Sequence, residues 1–157
     1  MKFTESITIA LARDRVIALL DSLENLALWQ PDLLETRQLE GEYRQAGAKT
    51  ELRYKMGKKE LVMVETIVER TLPDAIVVQY QSKDVWNQLH STFSQTDADQ
   101  TLWTLHCEFQ CRGYMKLFAW LMPWAFKKET RETLQSFKKF AEQSLQDSSP
   151  HEETPVT

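Results

Sequence analysis

Apolar and polar residues alternate through most of residues 34–111, and this period of two constrains the fold more than any other feature. Successive side chains of a strand point to opposite faces, so the alternation predicts a series of strands with one face turned to a core. After Gly113 the period changes to 3.6, which is typical of an amphipathic helix. The pattern therefore predicts an antiparallel sheet followed by a long helix.

A strand and two short helices are predicted ahead of this block. Residues 3–9 alternate as a half-buried strand. Asp14 can cap the helix that follows, and a second helical turn around Leu26 to Trp29 ends before Pro31, because the residue before a proline disfavours helical geometry.

Turn residues fix the strand registers of three hairpins. A turn at Asp97-Ala98-Asp99 predicts that Phe93 lies opposite Trp103, and a loop at Gly57-Lys58 predicts Leu52 opposite Met63. The turn at Asp97-Ala98-Asp99 also pairs Ser91 with Leu105, Leu89 with Cys107, Asn87 with Phe109 and His90 with His106. A loop around Pro73-Asp74 would place Ile67 against Tyr80 and Glu65 against Ser82.

The closing helix carries an apolar stripe and is predicted to kink at Pro123. Residues 147–157 are polar, contain two prolines and lack periodicity, so they are predicted to be a disordered tail after a single domain of residues 1–146. A chain of 157 residues with 42% hydrophobic and 27% charged residues fits one globular domain.

Charge and cysteine usage narrow the class of partner. The net charge is −4 and the basic residues form no stripe, which argues against nucleic acid. No signal segment precedes the first strand, and the longest apolar run is shorter than the ~20 residues that a transmembrane helix needs, so we expect a cytoplasmic protein.

Cys107 and Cys111 are four residues apart in a predicted strand, so they are too far apart to form a disulfide. Neither these cysteines nor His90 and His106 form a recognised metal-binding motif. The histidine pair is interpreted as solvated.

This element order resembles that of a known superfamily. Its signature positions are Trp29-Gln30-Pro31, Gly41, Gly47 and the closing Leu134-x-x-Phe137-Lys138-Lys139-Phe140-Ala141-Glu142. Over roughly residues 1–146 the chain resembles the START-related polyketide cyclase/dehydrase and lipid-transport superfamily (SRPBCC), which shares the helix-grip fold of the birch-pollen allergens.

The resemblance implies an α+β fold in which a seven-stranded antiparallel sheet wraps around the long C-terminal helix, with two short helices between strands 1 and 2 and a ligand cavity inside. Members bind lipids, sterols, polyketides or other apolar molecules, and some are cyclases or dehydratases. They share no one set of catalytic residues, so the resemblance assigns none here.

Glu65 is the most informative single residue. The alternation that points Leu61, Met63 and Ile67 inward points this carboxylate inward too, where it needs partners or a proton. A polar belt of Thr50, Glu65, Tyr80, Ser82 and Asn87 is predicted to orient the polar end of an apolar ligand. The alternatives are that Glu65 lies at an open rim or that a bulge turns it outward, and that Tyr54 and Tyr80 are core aromatics.

Three functions follow from these patterns. The first is a noncatalytic binder or carrier without a cofactor, whose predicted ligand-binding residues are Thr50, Leu52, Tyr54, Met63, Glu65, Tyr80, Asn87, Leu89, Phe93, Trp103, Leu105, Phe109, Phe118 and Met122. The second is a cyclase- or dehydratase-like enzyme in which Glu65 is a general base whose pKa is raised by desolvation.

The third function is an interaction module. Residues 114–126 are apolar on every side and carry a single charge at Lys116, so part of this helix is predicted to close the cavity mouth or to contact a second copy of the chain or, transiently, a membrane. The alternative for this segment is a well-packed end of the core.

Overall fold

A computed structural model describes residues 1–148. The elements are β1 Lys2–Ile9, α1 Arg13–Leu20, α2 Leu23–Trp29, β2 Leu33–Glu40, β3 Lys49–Met56, β4 Lys59–Thr71, β5 Ala75–Gln81, β6 Val85–Asp97, β7 Gln100–Cys111, α3 Tyr114–Leu121 and α4 Pro123–Asp147. Helix α4 therefore extends one residue into the predicted tail, and residues 149–157 of that tail lie outside the described residues.

The strands form one seven-stranded antiparallel sheet in the order β1-β7-β6-β5-β4-β3-β2. Helices α1 and α2 connect β1 at one edge to β2 at the other, and α4 packs against the concave face. The predicted helix-grip architecture is confirmed. No helix within residues 1–148 combines the length and the apolar character required to cross a bilayer.

Two of the three predicted hairpin registers are confirmed. Phe93 lies opposite Trp103, and Leu52 lies opposite Met63. The β4–β5 register is wrong by two residues, since Glu65 lies opposite Tyr80. The turn pairs Thr71 with Ala75, so the loop between β4 and β5 is one residue shorter than predicted. A bulge between Ile67 and Glu69 shifts the register by one more residue. Two single offsets leave every side chain upstream of the bulge on its predicted face.

Two helix predictions also need correction. Ala12 occupies the N-cap of α1 and Asp14 lies in the first turn, so Asp14 is not the cap. The chain breaks between α3 and α4 instead of bending within one helix, because a proline at position 123 disfavours helical geometry at Met122, whose φ is −131° and ψ 58°.

Phe137 anchors α4 to the core. Its ring is fully buried and meets the rings of Trp29 and Trp103 edge-on, at centroid distances of 5.2 and 5.4 Å. Leu134 and Ala141, on the same face of α4, are also buried. This cluster fixes the long helix across the concave face of the sheet.

Candidate functional site

The concave face of the sheet divides into a packed half and a half-open end. In the packed half, Phe93 stacks on Trp103 at 5.6 Å and both are buried. Toward α3 the inward side chains remain half-buried and keep accessible surface. We call the following residues the half-open end: Tyr54, Met63, Tyr80, Asn87, Leu89, Phe109, Phe118 and Met122.

The predicted ligand-binding residues fall into these two groups. Six of them, Thr50, Leu52, Glu65, Phe93, Trp103 and Leu105, are buried, and the other eight form the half-open end. Leu52, at 1% exposure, is already covered by protein atoms and has almost no surface left for a ligand. Accessible apolar surface on the concave face therefore concentrates at the half-open end.

Glu65 sits where these two groups meet. Its side chain points inward and the residue is 5% exposed, so the outward and rim alternatives are wrong. The hydroxyl of Tyr80 donates a hydrogen bond to Oε2 over 2.8 Å, and Arg44 Nη1 lies 3.8 Å from the same oxygen. Oε1 receives no hydrogen bond from residues 1–148.

Arg44 is a partner of Glu65 that no sequence pattern indicates. It lies in the loop between β2 and β3, is buried, and donates from Nε to Asp21 Oδ1 over 2.9 Å. Arg70 donates to both oxygens of Asp21, over 2.9 and 2.6 Å. Glu65, Arg44, Asp21 and Arg70 thus form a charge network of two acids and two bases. Of the two outcomes expected for a buried Glu65, partners or a proton, the structure shows the partners Arg44 and Tyr80.

The network favours the ionised forms of Asp21 and Arg44. Burial alone would raise the pKa of Asp21, but hydrogen bonds from Arg70 and Arg44 outweigh it and lower that pKa. Burial would lower the pKa of Arg44, and the negative charge of Glu65 reverses this so that the pKa is raised. The four charges sum to zero, so an ionic ligand group would meet no net countercharge here.

Three tyrosines surround Glu65. Burial, followed by the charge of Glu65, raises the pKa of Tyr43 to about 12 and raises the pKa values of Tyr54 and Tyr80 as well. The phenols therefore stay neutral near pH 7, and those of Tyr54 and Tyr80 donate hydrogen bonds. Tyr54 donates to Gln30 Oε1 over 2.6 Å. Tyr43 was not among the predicted site residues, because the β2–β3 loop that carries it has no periodicity.

The polar belt is present in altered form. Consecutive registers align Thr50, Glu65, Tyr80 and Asn87 across four strands. Thr50 donates to Gln38 Oε1, and the amide of Asn87 has no hydrogen-bond partner within residues 1–148. Ser82 lies outside the belt, because its hydroxyl closes the β5–β6 turn by donating to the Val85 carbonyl. Asn87 and Glu65 Oε1 are the open polar groups of the belt.

Two surface concavities flank this region. One of about 520 Å³ opens between α3 and the end of β7 and is lined by Met1, Phe109, Gln110, Cys111, Lys116, Ala119, Trp120 and Pro123. It reaches the half-open end through Phe109. The other, of about 460 Å³, includes His90 and His106, whose rings lie 5.8 Å apart on the convex face as the register predicts. Within residues 1–148, no three histidine, cysteine, aspartate or glutamate side chains converge to hold a metal ion.

Comparisons with known proteins agree with this geometry. A family model described as polyketide cyclase/dehydrase and lipid transport matches residues 1–142. The chain is similar to the crystal structure of the ZhuI aromatase/cyclase from Streptomyces sp. R1128, with 14% identity over 92% of this chain and 95% of that one and a TM-score of 0.77.

Two further solved structures share the fold. A START superfamily protein from Mycobacterium smegmatis is 14% identical over 94% of this chain and 99% of that one, with a TM-score of 0.68. Ara h 8.0201 is 10% identical over 90% and 97%, with a TM-score of 0.71. No curated protein sequence matches the chain. At these identities the structural likeness shows the fold alone.

Proposed function

This chain belongs to the polyketide cyclase/dehydrase and lipid transport family, and from that premise we propose that it binds an apolar or amphipathic small molecule at the half-open end. The observation that carries the proposal is the half-buried state of inward-facing Met63, Leu89 and Phe109 beside two open polar groups. A ligand covering these side chains would gain about 25 cal/mol per Å² of apolar surface buried.

The polar end of the ligand is expected to be uncharged and to carry a hydrogen-bond donor. Because the four charges of the network already balance, an ionic ligand group would lose its hydration without gaining a countercharge. Glu65 Oε1 offers an acceptor, and the Asn87 amide offers both a donor and an acceptor. A hydroxyl or an uncharged aromatic N–H at the end of an apolar body fits this pair.

Extraction of the purified protein tests the proposal directly. Native mass spectrometry followed by organic extraction should reveal copurified apolar molecules. The uncharged dye N-phenyl-1-naphthylamine, which carries one N–H donor, should bind with enhanced fluorescence. A protein that is free of such molecules and does not bind the dye would contradict the proposal.

Neighbouring residues on opposite faces of β6 provide a matched pair of variants. Asn87→Ala removes an amide that bonds to no described protein group, so the free energy of unfolding should change little while dye affinity falls about threefold to tenfold. Gln88→Ala removes a side chain that bonds to Gln79 on the convex face, and dye affinity should be unchanged.

A cyclase- or dehydratase-like reaction is a second candidate. It is favoured by one observation, the unbonded Oε1 of a carboxylate whose other oxygen accepts from Tyr80. Oε1 could accept a proton from a C–H or O–H group of the bound molecule. Glu65→Gln should then abolish conversion of the copurified molecule and leave dye affinity within a few-fold, whereas a pure carrier converts nothing in either form.

A further inference from the structure

Large apolar side chains cover the outer face of α3 and the first turn of α4. Five of them point away from the protein with 58% to 75% of their surface exposed: Tyr114, Leu117, Trp120, Leu121 and Trp124. Helix α3 buries no residue completely. An exposed cluster that contains two tryptophans and a tyrosine is unusual for a surface that contacts only water.

This outer face is not needed to hold the helix in place. The inner side of α3 already packs through Phe118, whose ring meets that of Phe126 at 6.1 Å, and Phe126 meets Phe109 at 5.2 Å. Tyr114, Leu117 and Leu121 recur at helical spacing on the adjoining side, which is exposed. The helix therefore carries large apolar side chains beyond its packed side, and these are uncovered in the described chain.

Basic residues flank the exposed cluster along the sequence. Between Phe109 and Lys128 the sequence has four basic residues, Arg112, Lys116, Lys127 and Lys128, and no acidic one, although the whole chain has a net charge of −4. Arg112 and Lys116 have no ion-pair partner within residues 1–148. A basic rim around an aromatic surface matches the charge of an anionic lipid bilayer.

We propose that residues 112–128 form a docking surface for an anionic lipid membrane. Tryptophan and tyrosine favour the headgroup level of a bilayer, where the ring is buried and the polar edge stays hydrated. Lysine and arginine around them are attracted by anionic lipids. A second copy of this chain, placed symmetrically on the same face, would bring two sets of these basic residues together, and within residues 1–148 only Lys128 among them has an acidic partner, Glu132. A second copy therefore fits less well.

The position of this surface links it to the half-open end. The 520 Å³ concavity runs from Lys116 and Trp120 to Phe109. Docking through α3 would place this concavity against the lipid, so that an apolar molecule could pass between bilayer and protein without crossing water.

Vesicle cosedimentation tests the docking surface, with no need for the ligand of the proposed pocket. The whole protein should bind vesicles of phosphatidylcholine that contain about a quarter phosphatidylglycerol. It should bind vesicles of pure phosphatidylcholine much more weakly. About 0.5 M NaCl should weaken the binding, because salt screens the attraction. Trp120→Ala/Trp124→Ala should lower the partition coefficient at least about tenfold, and Arg112→Gln/Lys116→Gln should remove most of the dependence on phosphatidylglycerol.

The matched control is Val62→Ala/Val68→Ala, which removes exposed apolar surface from β4 and should leave vesicle binding unchanged. Equal vesicle binding by wild type and the tryptophan variant would overturn the proposal. Vesicle binding that does not depend on phosphatidylglycerol would overturn it as well. So would the absence of vesicle binding together with a wild-type dimer that the tryptophan variant abolishes in sedimentation equilibrium, because the surface would then bind a second copy.

Discussion

Arg44 has two properties that cost free energy on folding. Its φ of +63° lies in the left-handed region, which residues other than glycine rarely adopt, and its guanidinium is buried. The ion pairs with Asp21 and Glu65 offset both costs. Removing the guanidinium would leave Glu65 buried beside a tyrosine hydroxyl and no cation, so Arg44 is expected to be central to stability as well as to the site.

Replacing this residue gives a direct prediction. Arg44→Met should lower the free energy of unfolding by about 3 kcal/mol, because breaking a buried ion pair strands the remaining charge. Urea denaturation monitored by circular dichroism measures this change.

Arg37→Met is the matched control. Arg37 pairs with Glu51 on the surface with 63% of its side chain exposed, so its loss should cost less than about 1 kcal/mol. Equal, small effects of the two variants would show that the charge network does not stabilise the fold.

At the level of single residues the sequence predicted only part of this arrangement. Alternation along β4 placed Glu65 on the concave face and the β3–β4 register placed Thr50 opposite it, but the predicted β4–β5 register placed Ser82 where Tyr80 lies. Arg44 and Tyr43 could not be found in this way, because the side-chain direction in a loop follows from local backbone angles and not from a period.

Strand β4 contains one feature that turn residues predict, its hairpin with β3, and one that they do not, a bulge. Turn residues predicted the hairpins with β3 and between β6 and β7, but nothing in the sequence marks the bulge at Val68. Strict alternation would put Arg70 on the face opposite Glu65. The bulge turns Arg70 to the concave side, where it reaches Asp21. The charge network therefore depends on an irregularity that the sequence pattern does not reveal.

Substitutions of two phenylalanines of α4 should affect the free energy of unfolding and the dye affinity differently. Phe137 is fully buried among aromatic rings, so Phe137→Ala should lower the free energy of unfolding by about 3–5 kcal/mol. Phe126 is half-buried near Phe109, so Phe126→Ala should cost less than about 2 kcal/mol and yet lower dye affinity more.

Urea denaturation and dye titration of both variants, the latter at a temperature where both are folded, measure the two effects. The opposite order, with Phe126→Ala the more destabilising and dye affinity unchanged, would mean that the end near α3 is ordinary core.

At the scale of the whole molecule, the packed core and the proposed ligand site lie at different parts of one concave face. The packed half, around Phe137 and Trp103, fixes α4 to the sheet, while the half-open end leaves apolar side chains partly accessible. Element order and signature positions were sufficient to predict the helix-grip architecture. The division of the concave face was not predictable, because it depends on how far α3 and α4 stand from each strand, which periodicity does not encode.

Methyl NMR of the dye complex tests the central claim most directly. On titration with N-phenyl-1-naphthylamine, the account predicts shifts of the methyl signals of Met63, Leu89 and Met122 at the half-open end, with those of Ile76 and Leu134 in the packed half nearly unchanged. Shifts confined to the packed half or to the convex face, or no shifts at saturating dye, would contradict it.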